Sequence, residues 1–166
     1  MRKVLLIAVL LGGAWYYFVG ARRLDDQLVR EYYQQQVRAT LERNPEALCN
    51  QLHADFSGTE SVAVAGQRQS RSTNKEQACE AAHKTYEIID RIGEKMGGTA
   101  QLDYNQEIEA ITLSDDKKTA TVESSYSLDI AGSVMQVRGS SVDTLIRSNG
   151  KVLMLKSDSK SRFLGG

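Results

Sequence analysis

After Gly98 the chain falls into long segments in which apolar and polar residues alternate, most clearly in Ala120, Val122, Ser124, Tyr126, Leu128 and Ile130. A period of two puts successive side chains on opposite faces of a strand, so one face of this segment meets a core and the other meets water. Turn signals at Ser114-Asp115-Asp116-Lys117, Ala131-Gly132-Ser133 and Ser148-Asn149-Gly150 divide the region into four strands, near 101–113, 118–130, 134–147 and 151–164. The pair Asn149-Gly150 suits a tight hairpin, because both residues tolerate positive φ. Connections this short join antiparallel neighbours, so a four-stranded meander is expected.

A sheet with one apolar face needs a cover, and the residues upstream supply helices. Leu24, Leu28, Tyr32, Val37 and Leu41 approximate one helical stripe. The helix they predict runs on from the preceding segment with little break, since no proline or glycine lies between Arg22 and Asn44. Asn44-Pro45-Glu46 reads as a stop and restart, with Asn44 as N-cap, Pro45 at the first helical position and Glu46 in the first turn. A short second helix is expected to about His53. The segment 55–70 holds Gly58, Gly66 and the alternating run Ser61-Val62-Ala63-Val64-Ala65, which predicts a short strand or hairpin. Thr73 and Glu76 have capping-box spacing, and Ala78, Ala82, Tyr86, Ile89 and Met96 mark the buried face of a third helix that Gly97-Gly98 would end. Helices first and a meander afterwards make a single α+β domain over 24–166, with helices packed on a curved antiparallel four-stranded sheet.

The first 23 residues are of another kind. Arg2 and Lys3 precede an uncharged run from Val4 to Ala21, closed by Arg22 and Arg23. As a helix this run is about 27 Å long, close to what a hydrocarbon core requires. Trp15, Tyr16, Tyr17 and Phe18 cluster at its end, where aromatic rings favour a membrane interface. The expectation is a single-pass bacterial inner-membrane anchor through residues 4–21, with the domain in the periplasm. The alternative is a signal peptide cleaved near Ala21, against which stand the bulky aromatics before the cut.

Composition narrows the partners. Lys and Arg balance Asp and Glu, so no overall field draws the chain to nucleic acid. The basic residues around Arg68, Arg71 and Lys75 are interrupted by Gln, Ser and Asn and read as an ordinary solvated loop. No phosphate loop, metalloprotease helix or serine nucleophile elbow is present, and nothing calls for a cofactor.

Cys49 and Cys79 are the only cysteines, and His53 and His83, each four residues after a cysteine, the only histidines. One reading is a disulfide joining the second helix to the third, which suits an exported domain. The other is a Cys2His2 zinc site built from Cys49, His53, Cys79 and His83, which needs both thiols reduced. Unpaired or intermolecular thiols are a third.

The order helix, short helix, small strand or hairpin, helix, four long strands resembles the NTF2-like superfamily, the cone fold of ketosteroid isomerases and SnoaL-type cyclases, over roughly Leu24 to Phe163. In layout, with one N-terminal transmembrane helix before the cone, it is similar to VirB8-like components of type IV secretion. The resemblance implies a pocket between helices and sheet. Tyr32 or Tyr33 with Asp55 then resemble the tyrosine donor and aspartate base of ketosteroid isomerases, while Tyr86, Tyr104 and Tyr126 are pocket-lining candidates and Asp143 is within reach of the same cavity. Asp115 and Asp116 fall in a turn and do not supply the second acid of those enzymes. Two functions follow as expectations. The first is a non-enzymatic module of the cell envelope that binds a protein partner, its own copy or a small apolar ligand. The second is an isomerase or cyclase using Asp55 with Tyr32 or Tyr33.

Overall fold

The computed structural model describes residues 23–64, 67–98, 100–132 and 135–165. Helix α1 spans Asp26–Leu41 and starts at a cap, because the Asp25 side chain accepts the Leu28 N–H at 2.9 Å. Arg23 to Asp25 are not helical, so the expected run-on from upstream residues is interrupted here. Leu24 turns inward instead, only 1% exposed, and its N–H donates to the Lys117 carbonyl. The buried face of α1 is Val29, Tyr32, Tyr33 and Ala39, whereas Leu41, placed on the stripe by spacing alone, is exposed.

Helix α2, Pro45–Asn50, begins as its residues dictate, with the Asn44 side chain accepting the Ala47 N–H at 3.0 Å. It ends sooner than expected, since strand β1 (Leu52–Val64) opens two residues later and takes His53 and Asp55 with it. Strand β2 is Gln67–Asn74, antiparallel to β1. Helix α3, Lys75–Lys95, starts one residue later than the Thr73/Glu76 spacing predicts: Asn74 is the cap, and it exchanges hydrogen bonds with Gln77 in a capping box. Gly97, at φ +84°, closes α3, with the Gly98 N–H on the Gly93 carbonyl and the Gly97 N–H on that of Glu94. Ile89 and Gly93 are its buried residues, Ala78, Ala82 and Tyr86 are half-buried, and Met96 is exposed.

Strands β3 (Leu102–Leu113), β4 (Thr119–Ile130), β5 (Met135–Ser148) and β6 (Lys151–Gly165) form the expected meander, and Asn149 and Gly150 both take positive φ between the last two. The sheet is larger than the meander, however. It has six strands in the order β2-β1-β6-β5-β4-β3, and β1 runs parallel to β6. The four-stranded, wholly antiparallel expectation is corrected on both counts. Parallel pairing joins segments distant in sequence, so no local turn announces it, and β2 is exposed along most of its length and shows no alternation.

Helices lie on one face of this sheet. The main core joins Leu24, Val29, Tyr32 and Tyr33 to Phe56, Ala120, Val122, Leu145 and Met154, and a second cluster sets Ile89 against Ala100 and Ile130. Arg43 ties the α1–α2 turn to α3 through Asp90 and to the Ala100 carbonyl. Cys49 and Cys79 form a disulfide between α2 and α3, with Cα atoms 5.4 Å apart, as the first of the cysteine readings expects.

The expected single-pass inner-membrane anchor with a periplasmic domain finds no counterpart among the described residues. Among the described residues no helix is long and apolar enough to cross a membrane. The apolar run 4–21 and the division at residue 23 fall outside or at the edge of the described residues.

The disulfide closes a loop of 30 residues, for which loop entropy gives a stabilisation of about 3 to 4 kcal/mol. Urea denaturation of the wild type and of Cys49→Ser/Cys79→Ser, under non-reducing conditions, should differ by that order. Coincident transitions would mean that α2 and α3 hold together without the crosslink.

Candidate functional site

The inward alternation of β4, β5 and β6 carries a row of polar residues into the interior. Register sets Val122, Asp143 and Ser157 side by side, with Ser124 and Ser141 on the neighbouring inward row. Asp143 is 2% exposed. Its Oδ2 accepts the Tyr33 hydroxyl at 2.7 Å and the Ser141 hydroxyl at 3.0 Å, and its Oδ1 accepts the Ser157 hydroxyl at 2.7 Å. Ser141 also bonds Ser124 at 3.1 Å, and Gln106 Nε2 donates to Ser124 at 3.3 Å. The network therefore joins α1 to β3, β4, β5 and β6.

Burial pushes the Asp143 carboxyl above its ordinary range, and the hydroxyls of Tyr33, Ser157 and Ser141 pull it partly back. Burial likewise raises Tyr33, and the Asp143 charge and hydrogen bond raise it further. Tyr33 is thus fixed as a protonated donor. With both carboxylate oxygens engaged, Asp143 has no open face toward a reactant, and it lines none of the clefts described below.

Tyr32 behaves differently from its neighbour. The two rings meet edge to face, 5.4 Å apart at 83°. Yet the Tyr32 hydroxyl is buried without a hydrogen-bond partner among the described residues, as is Gln51 Oε1. Both residues line a groove of about 620 Å³ between α1, α2 and the start of β6, together with Leu28, Ala39, Val152 and Leu153. Glu31 and Glu42 on its wall are balanced by Arg38 and Lys151. A second cleft, between α1 and β3, has Tyr33, Val37, Gln106 and Ile108 on its wall. A pocket of about 160 Å³ lies under the disulfide, against Gln36 and Tyr104.

The residues singled out from the sequence are dispersed. The Asp55 side chain is 86% exposed on β1, and its N–H donates to His53 Nδ1; it lies apart from the buried Tyr32 and Tyr33. Tyr104 and Tyr126 share the inner face, with ring centroids 6.4 Å apart. Tyr126 lies over Gly139, where a Cβ would come within 2.5 Å of the ring. Tyr86 is half-buried, and burial raises its hydroxyl above the ordinary tyrosine value. Asp116 is held down to about 2 by Ser114 and Lys118 in its exposed turn, and Asp115 stays in the same turn. The zinc alternative through Cys49, His53, Cys79 and His83 is excluded by the disulfide, which uses both sulfurs. His53 sits on a strand, and His83 faces Glu46 at 3.5 Å. Spacing had missed Ser141, Ser157 and Gln106. The available signal was Ser124, a polar residue at an inward position of the clearest alternating strand.

No protein-family model and no curated protein matches this sequence. Solved structures match in fold. A conserved protein from Planctomyces limnophilus DSM 3776 superposes with a TM-score of 0.65 at 13% identity, over 84% of this chain and 98% of its own. An NTF-2-like protein of unknown function from Silicibacter pomeroyi DSS-3 gives 0.54 at 12%, over 82% and 94%. A ketosteroid isomerase-like protein from Erwinia carotovora atroseptica SCRI1043 gives 0.54 at 13%, over 83% and 98%. The fold is NTF2-like. At these identities the likeness speaks for the fold alone.

Because the Asp143 pKa is raised in the folded chain, the folded state binds this proton more tightly than the unfolded state. The stabilisation is fully present below the ordinary carboxylate value of about 4 and is lost as pH rises through the elevated folded value. Urea denaturation of the wild type and Asp143→Asn between about pH 3 and 7 should show the wild type losing stability relative to the variant as pH rises. Parallel profiles would contradict the dominance of burial at this carboxylate.

Proposed function

We propose that this protein is a binding module, not a catalyst, and that it holds a small, partly apolar, uncharged or zwitterionic ligand in the groove between α1, α2 and β6. The observation that carries this reading is that two side chains lining that groove, Tyr32 and Gln51, each hold a buried polar atom, Oη and Oε1, with no hydrogen-bond partner among the described residues. Each such atom costs about 1 to 3 kcal/mol when unsatisfied. A ligand offering one acceptor to the tyrosine and one donor to the glutamine satisfies both.

Shape and charge agree with it. The groove's volume of about 620 Å³ lies within the range usual for small-molecule sites. Leu28, Ala39, Val152 and Leu153 supply apolar contact, and the balance of Glu31 and Glu42 against Arg38 and Lys151 selects against a net charge. A protein partner or a second copy is the other use of such a module. Concavity and the two orphaned atoms favour the small ligand.

Acid–base catalysis has less support. Asp55 is at the surface, and the one buried carboxylate among the described residues, Asp143, has both oxygens bonded to hydroxyls of its own chain. That network serves to hold α1 on the sheet.

Ligand-detected NMR with benzamide, an apolar ring bearing one acceptor and one donor, tests the proposal. Benzamide should bind the wild type and bind Tyr32→Phe about fivefold more weakly, since losing one buried hydrogen bond costs roughly 1 kcal/mol. The unliganded variant should be no less stable than the wild type, because the deleted hydroxyl has no partner to lose. Equal binding to both proteins, or a destabilised variant, would count against the groove as the site.

A further inference from the structure

The outer face of the sheet, opposite the helices, brings together basic residues that are far apart in sequence. Ala63 of β1 lies between Arg68 of β2 and Arg162 of β6, and Arg162 in turn stands directly opposite Arg138 of β5. Two residues along the same face, Lys160 lies between Ser61 and Ser140. These side chains line a cleft of about 360 Å³. From Arg68 to Arg138 the row crosses three strand intervals, about 14 Å.

Arg68 was read from the sequence as part of a solvated loop. It lies instead on β2, and the pairing through β1 and β6 makes it one end of a cationic row. The chain as a whole has zero formal charge, so the row is a local concentration and not one sample of a generally basic surface.

No described carboxylate neutralises it. Among the described residues none of Arg68, Arg138, Lys160 and Arg162 forms an ion pair. The neighbouring carboxylates on this face are Asp158, which is paired with Lys156 at 2.7 Å, and Asp129 of β4, which stands opposite Gln136 and diagonal to Arg138. Like charges directly opposite each other across an antiparallel pair are destabilising. The Arg138–Arg162 juxtaposition therefore carries a cost that a bound anion would reverse.

We propose that this cleft is an anion site for phosphate groups, with Arg138 and Arg162 at its centre and Arg68 and Lys160 at its flanks. Arginine forks match phosphate oxygens bidentately, and the Ser61 and Ser140 hydroxyls add neutral donors beside them. A row about 14 Å long exceeds one phosphate, so the occupant carries or presents more than one. A soluble oligophosphate and the headgroups of an anionic lipid surface share that chemistry. The site is independent of the α1–α2 groove, which lies on the helical side of the sheet.

Titration calorimetry of the full chain with inorganic pyrophosphate, matched in ionic strength by sodium chloride, forms one arm of the test. Co-sedimentation with phosphatidylglycerol-containing vesicles, scored as the excess over phosphatidylcholine vesicles, forms the other. In whichever arm binds, R138Q and R162Q should each weaken the interaction about tenfold or more, as expected for loss of a charge-assisted hydrogen bond. The unliganded thermal midpoint of R162Q should be unchanged or higher, because a repulsion has been removed, so the loss cannot be ascribed to misfolding. Pyrophosphate binding identifies a soluble ligand and vesicle binding a surface, and both support the site. Binding in neither arm, or binding that R138Q and R162Q leave intact, would overturn it.

Discussion

The hydrogen bond from Tyr33 to Asp143, 2.7 Å long and sealed from water, is the interaction around which the helical side of the molecule is arranged. A buried carboxylate is tolerable only if its oxygens are satisfied. Here the donors come from α1, β5 and β6, so the buried carboxylate has all its partners only when the helix and the sheet are correctly docked. The Tyr33 hydroxyl adds a directional tie between α1 and the sheet to the apolar contacts with Val122 and Leu145.

The position of Tyr32 follows from that of Tyr33. Adjacent residues on a helix point roughly 100° apart, so fixing one ring against Asp143 turns the other toward α2 and β6. The residue lines the groove there, and its buried hydroxyl has no partner among the described residues. One tyrosine of the pair is structural, and the other is the one that the proposed ligand would engage. The disulfide acts on the same arrangement from outside, because it holds α2, which supplies part of the groove's wall, against α3. A disulfide of this kind fits an oxidising compartment.

Much of the fold was legible because its causes are local. Alternation in β4, the Asn149-Gly150 turn and the Asn44-Pro45 restart each act within a few residues, and each element appears where those signals place it. The parallel partnership of β1 and β6 was not legible, since it depends on two segments about a hundred residues apart. The site was readable only in part. Tyr32, Tyr33 and Asp143 were noticed singly, but their relation depends on helix rotation and strand register. Asp55 was misleading because α2 ends before His53 and leaves that carboxylate exposed on β1. The basic row on the outer face was hidden for the same reason: Arg68, Arg138 and Arg162 become neighbours only through three strand pairings.

A double-mutant cycle on Tyr33→Phe and Asp143→Ala, read by chemical denaturation at neutral pH, tests the central claim most directly. If the hydroxyl holds α1 to the sheet through the carboxylate, the two substitutions together should cost less than the sum of their separate effects, by about 1.5 to 3 kcal/mol. Additive losses would show that the tyrosine and the aspartate stabilise the fold independently, and would contradict the account.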